Sequence, residues 1–189
     1  MKAVTTVYFV RHAQPNYDNH DDLTRELTEK GLADRMRVVT ALENVTVDAV
    51  ISSPFKRAVD TVQPLADVRG LTVQTDADFR ERKVGDGWLE DFTAFAKQQW
   101  ADFDFTLEHG ESLRQVQQRN LAALARVLQR HHGQTVVIGT HGTALSTLME
   151  HFAPPFGYAG FERIRNVMPW VVRMTFEGER CTEVTELKV

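Results

Sequence analysis

Thr5-Thr-Val-Tyr-Phe-Val-Arg-His-Ala-Gln-Pro15 is an apolar run of strand-forming residues that stops abruptly at Arg11 and His12. The β-branched and aromatic bias of Val7 to Val10 marks a strand, and its unbroken apolar character suits a parallel strand covered on both faces. A cation and an imidazole therefore stand at the carboxyl end of a buried strand. In open α/β sheets that edge is where ligands bind, because its loops face a crevice.

The surrounding composition is that of an ordinary globular protein. The chain has 189 residues, 42% hydrophobic and 25% charged, enough for one good core, and it is read as a single domain over 1–189. A net charge of -4 offers no basic field for nucleic acid or anionic membrane, so anion recognition falls to a few local cations and a small anion. The lone Cys181 excludes an internal disulfide. No apolar stretch approaches the roughly 18 residues of a membrane helix, and a cytoplasmic location is expected.

Beyond the first strand, a polar loop over 16–25 leads to a helix with Thr28 as N-cap, its buried face expected from Leu32, Met36, Val39 and Leu42. A strand over 48–51 is closed by Ser52-Ser53-Pro54. The next helix carries Arg57, Ala58, Thr61 and Leu65, with a kink expected at Pro64. A third strand spans 71–75. This β-α-β-α-β order predicts right-handed crossovers and a mostly parallel sheet, an α/β/α sandwich. The middle, 76–111, breaks the rhythm with three glycines and with Phe92, Phe95, Trp100, Phe103 and Phe105. It is expected to form a partial cover over the sheet edge, with a short helix near 90–100. Ser112 to Gln115 reads as a capping box opening a helix over 112–131 that ends at Gly133. A fourth strand, 135–139, delivers His141, and a helix over 144–151 follows. After a Pro-Pro turn, 170–176 and 181–187 form a hairpin.

Arg11, His12, Arg57, Glu81 and His141 thus stand after strands or in the polar middle. Two guanidiniums and two imidazoles make a poor metal site, and no His pair has the spacing of a helical zinc ligand set. They make a good phosphate site: the guanidinium fork of Arg11 and Arg57 matches phosphate oxygens and stays charged, which lets a neutral imidazole attack phosphorus in line.

Val-Arg-His-Ala at 10–13, Ser-Ser-Pro-Phe-Lys-Arg-Ala-Val-Asp-Thr at 52–61, Glu81 with Gly85, Gly-Glu-Ser-Leu at 110–113 and Thr-His-Gly at 140–142 together resemble the histidine phosphatase superfamily, the phosphoglycerate mutase-like proteins. The Leu-Thr-Glu-Lys-Gly stretch at 27–31 resembles the start of that family's first helix. The resemblance implies a phosphoglycerate mutase-like fold and a ping-pong cycle without metal or other cofactor. In it His12 becomes phosphohistidine, Arg11, Arg57 and His141 bind the phosphoryl oxygens, and Glu81 is the general acid. Burial under the aromatic cover or a nearby phosphate dianion would raise the pKa of such a carboxyl group. Gln14, Asp18, Arg82 and Gly142 complete the candidate substrate-binding set, although Arg82 also reads as an ordinary exposed loop charge.

The chain departs from the family pattern at three places. Ala13 replaces a common Gly, Asp18 stands where mutases tend to carry Asn, and Asp86-Gly87-Trp88-Leu89-Glu90 shifts the usual aromatic-Glu-Gly order. Mutases of the family carry an insertion with extra cations, whereas here only Lys97 lies between Lys83 and Arg114 among lysines and arginines. The expected activity is a metal-independent phosphatase acting on a small phosphorylated metabolite. A mutase-like phosphotransferase, a phosphoprotein phosphatase and a non-catalytic phosphate-binding module remain as alternatives.

Overall fold

The computed structural model describes residues 3–189. Its centre is a six-stranded sheet in the order β3-β2-β4-β1-β5-β6, built from β1 (Val4–Arg11), β2 (Ala49–Ser52), β3 (Val73–Thr75), β4 (Thr135–Thr140), β5 (Trp170–Glu177) and β6 (Arg180–Leu187). The first four strands pair in parallel, and the β5-β6 hairpin joins β1 antiparallel. The sheet is mixed α/β and mostly parallel, as the strand and helix rhythm predicts.

The alternation of β1 explains its continuous apolar run. Val7 and Phe9 point into one core with α4 (Phe92–Ala101), α5 (Leu113–Arg130), α6 (Gly142–Phe152) and α7 (Gly157–Ile164). Tyr8 and Val10 point into the other, with α2 (Met36–Ala41) and α3 (Lys56–Arg69). Successive side chains of a strand face opposite ways, so a strand between two helical layers must be apolar throughout. β4 lies between β1 and β2, and the loops that carry His12, Ser53 and His141 consequently leave the sheet side by side. Among the described residues no helix is long and apolar enough to cross a membrane.

Two local expectations need correction. The first helix is two short ones, α1 (Glu29–Asp34) and α2, meeting at Arg35. Thr28 does cap α1, accepting from Gly31 N. The buried stripe, however, runs through Gly31, Val38 and Leu42, while Leu32 and Met36 are 43% and 46% exposed. Gly31 sets this phase: a Cβ there would lie 2.2 Å from the Gln14 carbonyl oxygen, so α1 meets the loop after His12 through bare backbone. At Pro64, α3 continues unbroken from Lys56 to Arg69. Proline removes the donor that would serve the carbonyl four residues earlier, and that carbonyl, of Asp60, accepts instead from Arg35 Nη1 at 2.8 Å. The second correction is an addition, helix α7 between the Pro-Pro turn and the hairpin.

The capping box of α5 is present as expected, with Ser112 Oγ and the Gln115 side chain each accepting the other's backbone N–H. The observed stripe on α1 and α2 makes a direct prediction. Leu42→Ala should cost about 2–5 kcal/mol and Leu32→Gln less than about 1 kcal/mol, read from urea denaturation. Equal costs would contradict the packing.

Candidate active site

The end of β1 is fixed before any substrate arrives. Arg11, 8% exposed, donates from Nη1 to the carbonyl oxygens of Ile164, Arg165 and Val167 at 2.7, 3.2 and 3.2 Å. A cation there complements the free carbonyls at the end of α7. The other side of the guanidinium lies on Gly142, where a Cβ would sit 2.8 Å from Arg11 Cζ. Its Nε has no partner among the described residues.

His12, 5% exposed, places Nδ1 2.8 Å from the carbonyl oxygen of Ala13. A carbonyl only accepts, so Nδ1 carries the proton and Nε2 keeps its lone pair. Burial, reinforced by the Arg57 and Arg11 guanidiniums, holds the imidazole well below its ordinary pKa. The ring is therefore neutral at neutral pH, with a nitrogen free for attack.

His141, fully buried, lies with its ring centroid 5.3 Å from that of His12. Its Nε2 is 2.8 Å from Ser53 Oγ, and its Nδ1 has no partner among the described residues. Burial and Arg57 push this imidazole down as well. The Ser-Ser-Pro stretch thus supplies the residue that orients the second histidine. Thr61, one turn beyond Arg57, accepts from Ala13 N at 3.0 Å and donates to the Arg57 carbonyl at 2.7 Å. This couples the arginine's helix to the loop after His12.

Arg57 is 2% exposed and already has an anionic partner. Its Nη1 donates to the Asp22 carbonyl at 2.7 Å and its Nη2 to Asp22 Oδ1 at 3.1 Å. The same Oδ1 accepts from Arg25 Nη1 at 3.0 Å. The loop that carries Asp22 is built rather than slack: Glu26 accepts from Asn16 and Asn19 and is held down at about 2 by these amides.

Glu81 is half-buried and caps helix α6. Its Oε1 accepts from Arg82 N at 2.8 Å and Ala144 N at 3.0 Å, and its Oε2 from Thr143 N at 3.0 Å. The loop beneath it is clamped by α5. Arg119 donates to the carbonyls of Asp78, Arg80 and Glu81 and pairs with Glu111 at 2.8 Å, while Glu111 accepts from Lys83 N.

The aromatic segment takes up the residue next to Glu81. Neighbouring residues of the extended loop point opposite ways, and it is Arg82 that enters the aromatics, with Cζ 5.3 and 5.1 Å from the Phe92 and Phe95 ring centroids. Arg82 is only 4% exposed, so its reading as an exposed loop charge is overturned. It donates to Gln99 Oε1 at 3.0 Å, and among the described residues no carboxylate pairs with it.

Arg11, His12, Arg57, Glu81, Arg82 and Gly142 line one cavity of about 580 Å³, with His141 packed directly against His12. Gln14 and Asp18 are not brought to it. Gln14 Oε1 accepts from Thr28 Oγ1 at 2.8 Å and so serves the start of α1, and Asp18 is an exposed loop residue whose N–H donates to Asn16 Oδ1. Asp22, Arg25, Ser53, Thr61 and the Glu111–Arg119 pair were not among the candidate residues. For Ser53, Thr61 and Glu111 the signal was their place inside the quoted motifs; for Asp22 and Arg25 a polar loop gave none.

The family profile of the histidine phosphatase superfamily (branch 1) matches residues 7–186. The chain belongs to the histidine phosphatase superfamily. It is 32% identical over 195 residues to phosphoglycerate mutase-like protein 4 of Arabidopsis thaliana, covering 93% of this chain and 82% of that protein. The solved structure of Bacillus stearothermophilus YhfR superposes with a TM-score of 0.74 at 28% identity, covering 94% of both chains. A mycobacterial glucosyl-3-phosphoglycerate phosphatase superposes at 0.77 with 19% identity over 97% of both, which shows the shared fold. The names of these relatives span mutase-like proteins and phosphatases.

Asp22 gives Arg57 its carboxylate partner, and an added oxyanion is predicted to compete for the same guanidinium. Asp22→Asn keeps the acceptor oxygen and removes the charge. The variant should bind vanadate about tenfold more tightly, measured by calorimetry; weaker binding would mean that the Asp22 charge serves to orient Arg57.

Proposed function

We propose that the chain is a metal-independent phosphatase that hydrolyses a small phosphomonoester, a phosphorylated metabolite of the cytoplasm, through phosphohistidine on His12. The observation that carries this reading is the free Nε2 of a buried, neutral imidazole at the floor of a cavity lined by two anchored guanidiniums. Arg11 and Arg57, which line the cavity, and His141, packed against His12, take the phosphoryl oxygens. Neutralising the oxygens lowers the repulsion that a dianion presents to a nucleophile.

Nε2 attacks phosphorus as the P–O bond to the leaving group breaks, and Glu81 gives its proton to the departing alkoxide. Water then attacks the phosphohistidine. Glu81 takes a proton from that water, inorganic phosphate forms, and His12 returns to its starting state. The bonds from α6 hold the carboxyl beside Gly142 in both half-reactions. The segment over 76–111 serves as wall and partial cover, with 81–92 contributing most of its cavity lining.

A second reading, transfer of the phosphoryl group to an acceptor as in a mutase, is favoured by one observation. Arg82 is a buried cation without a carboxylate partner, and a ligand carrying a second anion would satisfy it.

Hydrolysis of a generic aryl phosphate should proceed undiminished with chelator present and be inhibited by vanadate. His12→Ala should lose about 10⁴-fold or more in kcat. Full activity in that variant would remove His12 from the mechanism, and transfer of labelled phosphate to an added alcohol in preference to water would establish the second reading.

A further inference from the structure

The cavity is far larger than its phosphoryl end requires. A phosphoryl group has the volume of about three waters at ~30 Å³ each, against about 580 Å³ available. The remainder is mixed, with His20, Arg25, Asp86, Arg165 and Asn166 on its rim and an apolar stretch between them. Tyr17, Trp88, Leu89, Phe92, Phe161 and Met168 form its apolar wall, drawn from four separate stretches of chain.

Trp88 is the least economical residue of that wall. It lines the cavity yet remains 52% exposed, a large apolar surface left to water where burial would be favourable. It is nevertheless held in place. The His20 ring stacks on it at 4.0 Å between centroids and 7° between planes, and Arg25 Cζ stands 5.6 Å from its centroid. Arg25 is itself tied to Asp22, and Asp22 to Arg57. A chain of contacts therefore fixes the indole relative to the phosphoryl floor, one arginine and one carboxylate away from Arg57. An orientated, half-exposed indole at that remove is suited to a flat group attached to the phosphoryl oxygen through a short spacer.

We propose that the Trp88 wall is a leaving-group subsite, and that the preferred substrates are phosphomonoesters of alcohols carrying a planar aromatic ring a few bonds from phosphorus. The proposal rests on the phosphatase reading and goes beyond it by naming the substrate class. Binding of the ester buries the exposed part of the indole against its ring, and the binding gained there holds the ester oxygen beside Glu81. A three-carbon phosphorylated acid would leave the wall wet and use Arg82 instead.

The test compares esters whose leaving alkoxides are similar, so that reactivity does not mask binding: ethyl phosphate, 2-phenylethyl phosphate and the phosphate ester of 3-hydroxypropanoate. For the full chain, kcat/KM for 2-phenylethyl phosphate should exceed that for ethyl phosphate by about tenfold. Trp88→Ala should bring that ratio close to one and Trp88→Phe should restore most of it. A ratio near one in the unaltered protein, a ratio that survives Trp88→Ala, or a preference for the carboxylate ester would each overturn the proposal. Failure to hydrolyse any of the three would instead overturn the phosphatase reading beneath it.

Discussion

The hydrogen bond from His12 Nδ1 to the Ala13 carbonyl, 2.8 Å long, is the constraint on which the site depends. It decides which ring nitrogen holds the proton, and burial beside two guanidiniums keeps a second proton away. The fold is arranged around that bond. β1 is apolar on both faces because helices cover both, and this places the turn at 12–13 at a sheet edge that cannot shift. Thr61 accepts from Ala13 N, and Gln14 meets α1 at Gly31, so the loop is gripped at the two residues that follow His12.

Charge is managed by anchoring rather than by exposure. Arg11 is turned by the carbonyl end of α7, Glu81 by the amide end of α6, and Arg57 by Asp22. Each functional group thus spends part of its hydrogen-bonding capacity on the protein and offers the rest to a ligand. Such preorganisation means that little reorientation is needed when charge develops on a phosphoryl oxygen. Arg82 is the exception, a buried guanidinium supported by two aromatic rings and one amide oxygen.

The parallel sheet and the three stretches that carry Arg11 with His12, Arg57 and His141 were legible because each is local: an apolar run that stops, or a small-residue turn after a strand. The phase of α1 was not, because the glycine that sets it has no hydrophobic signature and makes its contact with a backbone oxygen 17 positions earlier in the chain, at Gln14. Helix α7 was hidden by Gly157 and Gly160, poor helix formers. Arg82 was misread because a charge run usually lies in water; only the fold shows that alternate residues of that loop face α6 and α4. Asp22 reaches Arg57 and Arg25 reaches Trp88 across long separations in sequence, and no spacing rule announces such contacts.

The most direct measurement is the position of the phosphoryl group on the enzyme. The protein should be mixed with a labelled aryl phosphate, quenched in alkali to preserve phosphohistidine, and mapped by mass spectrometry with phosphorus NMR to distinguish the two ring isomers. The label should lie on Nε2 of His12. Label on Nδ1, on His141 or on no histidine would contradict the account.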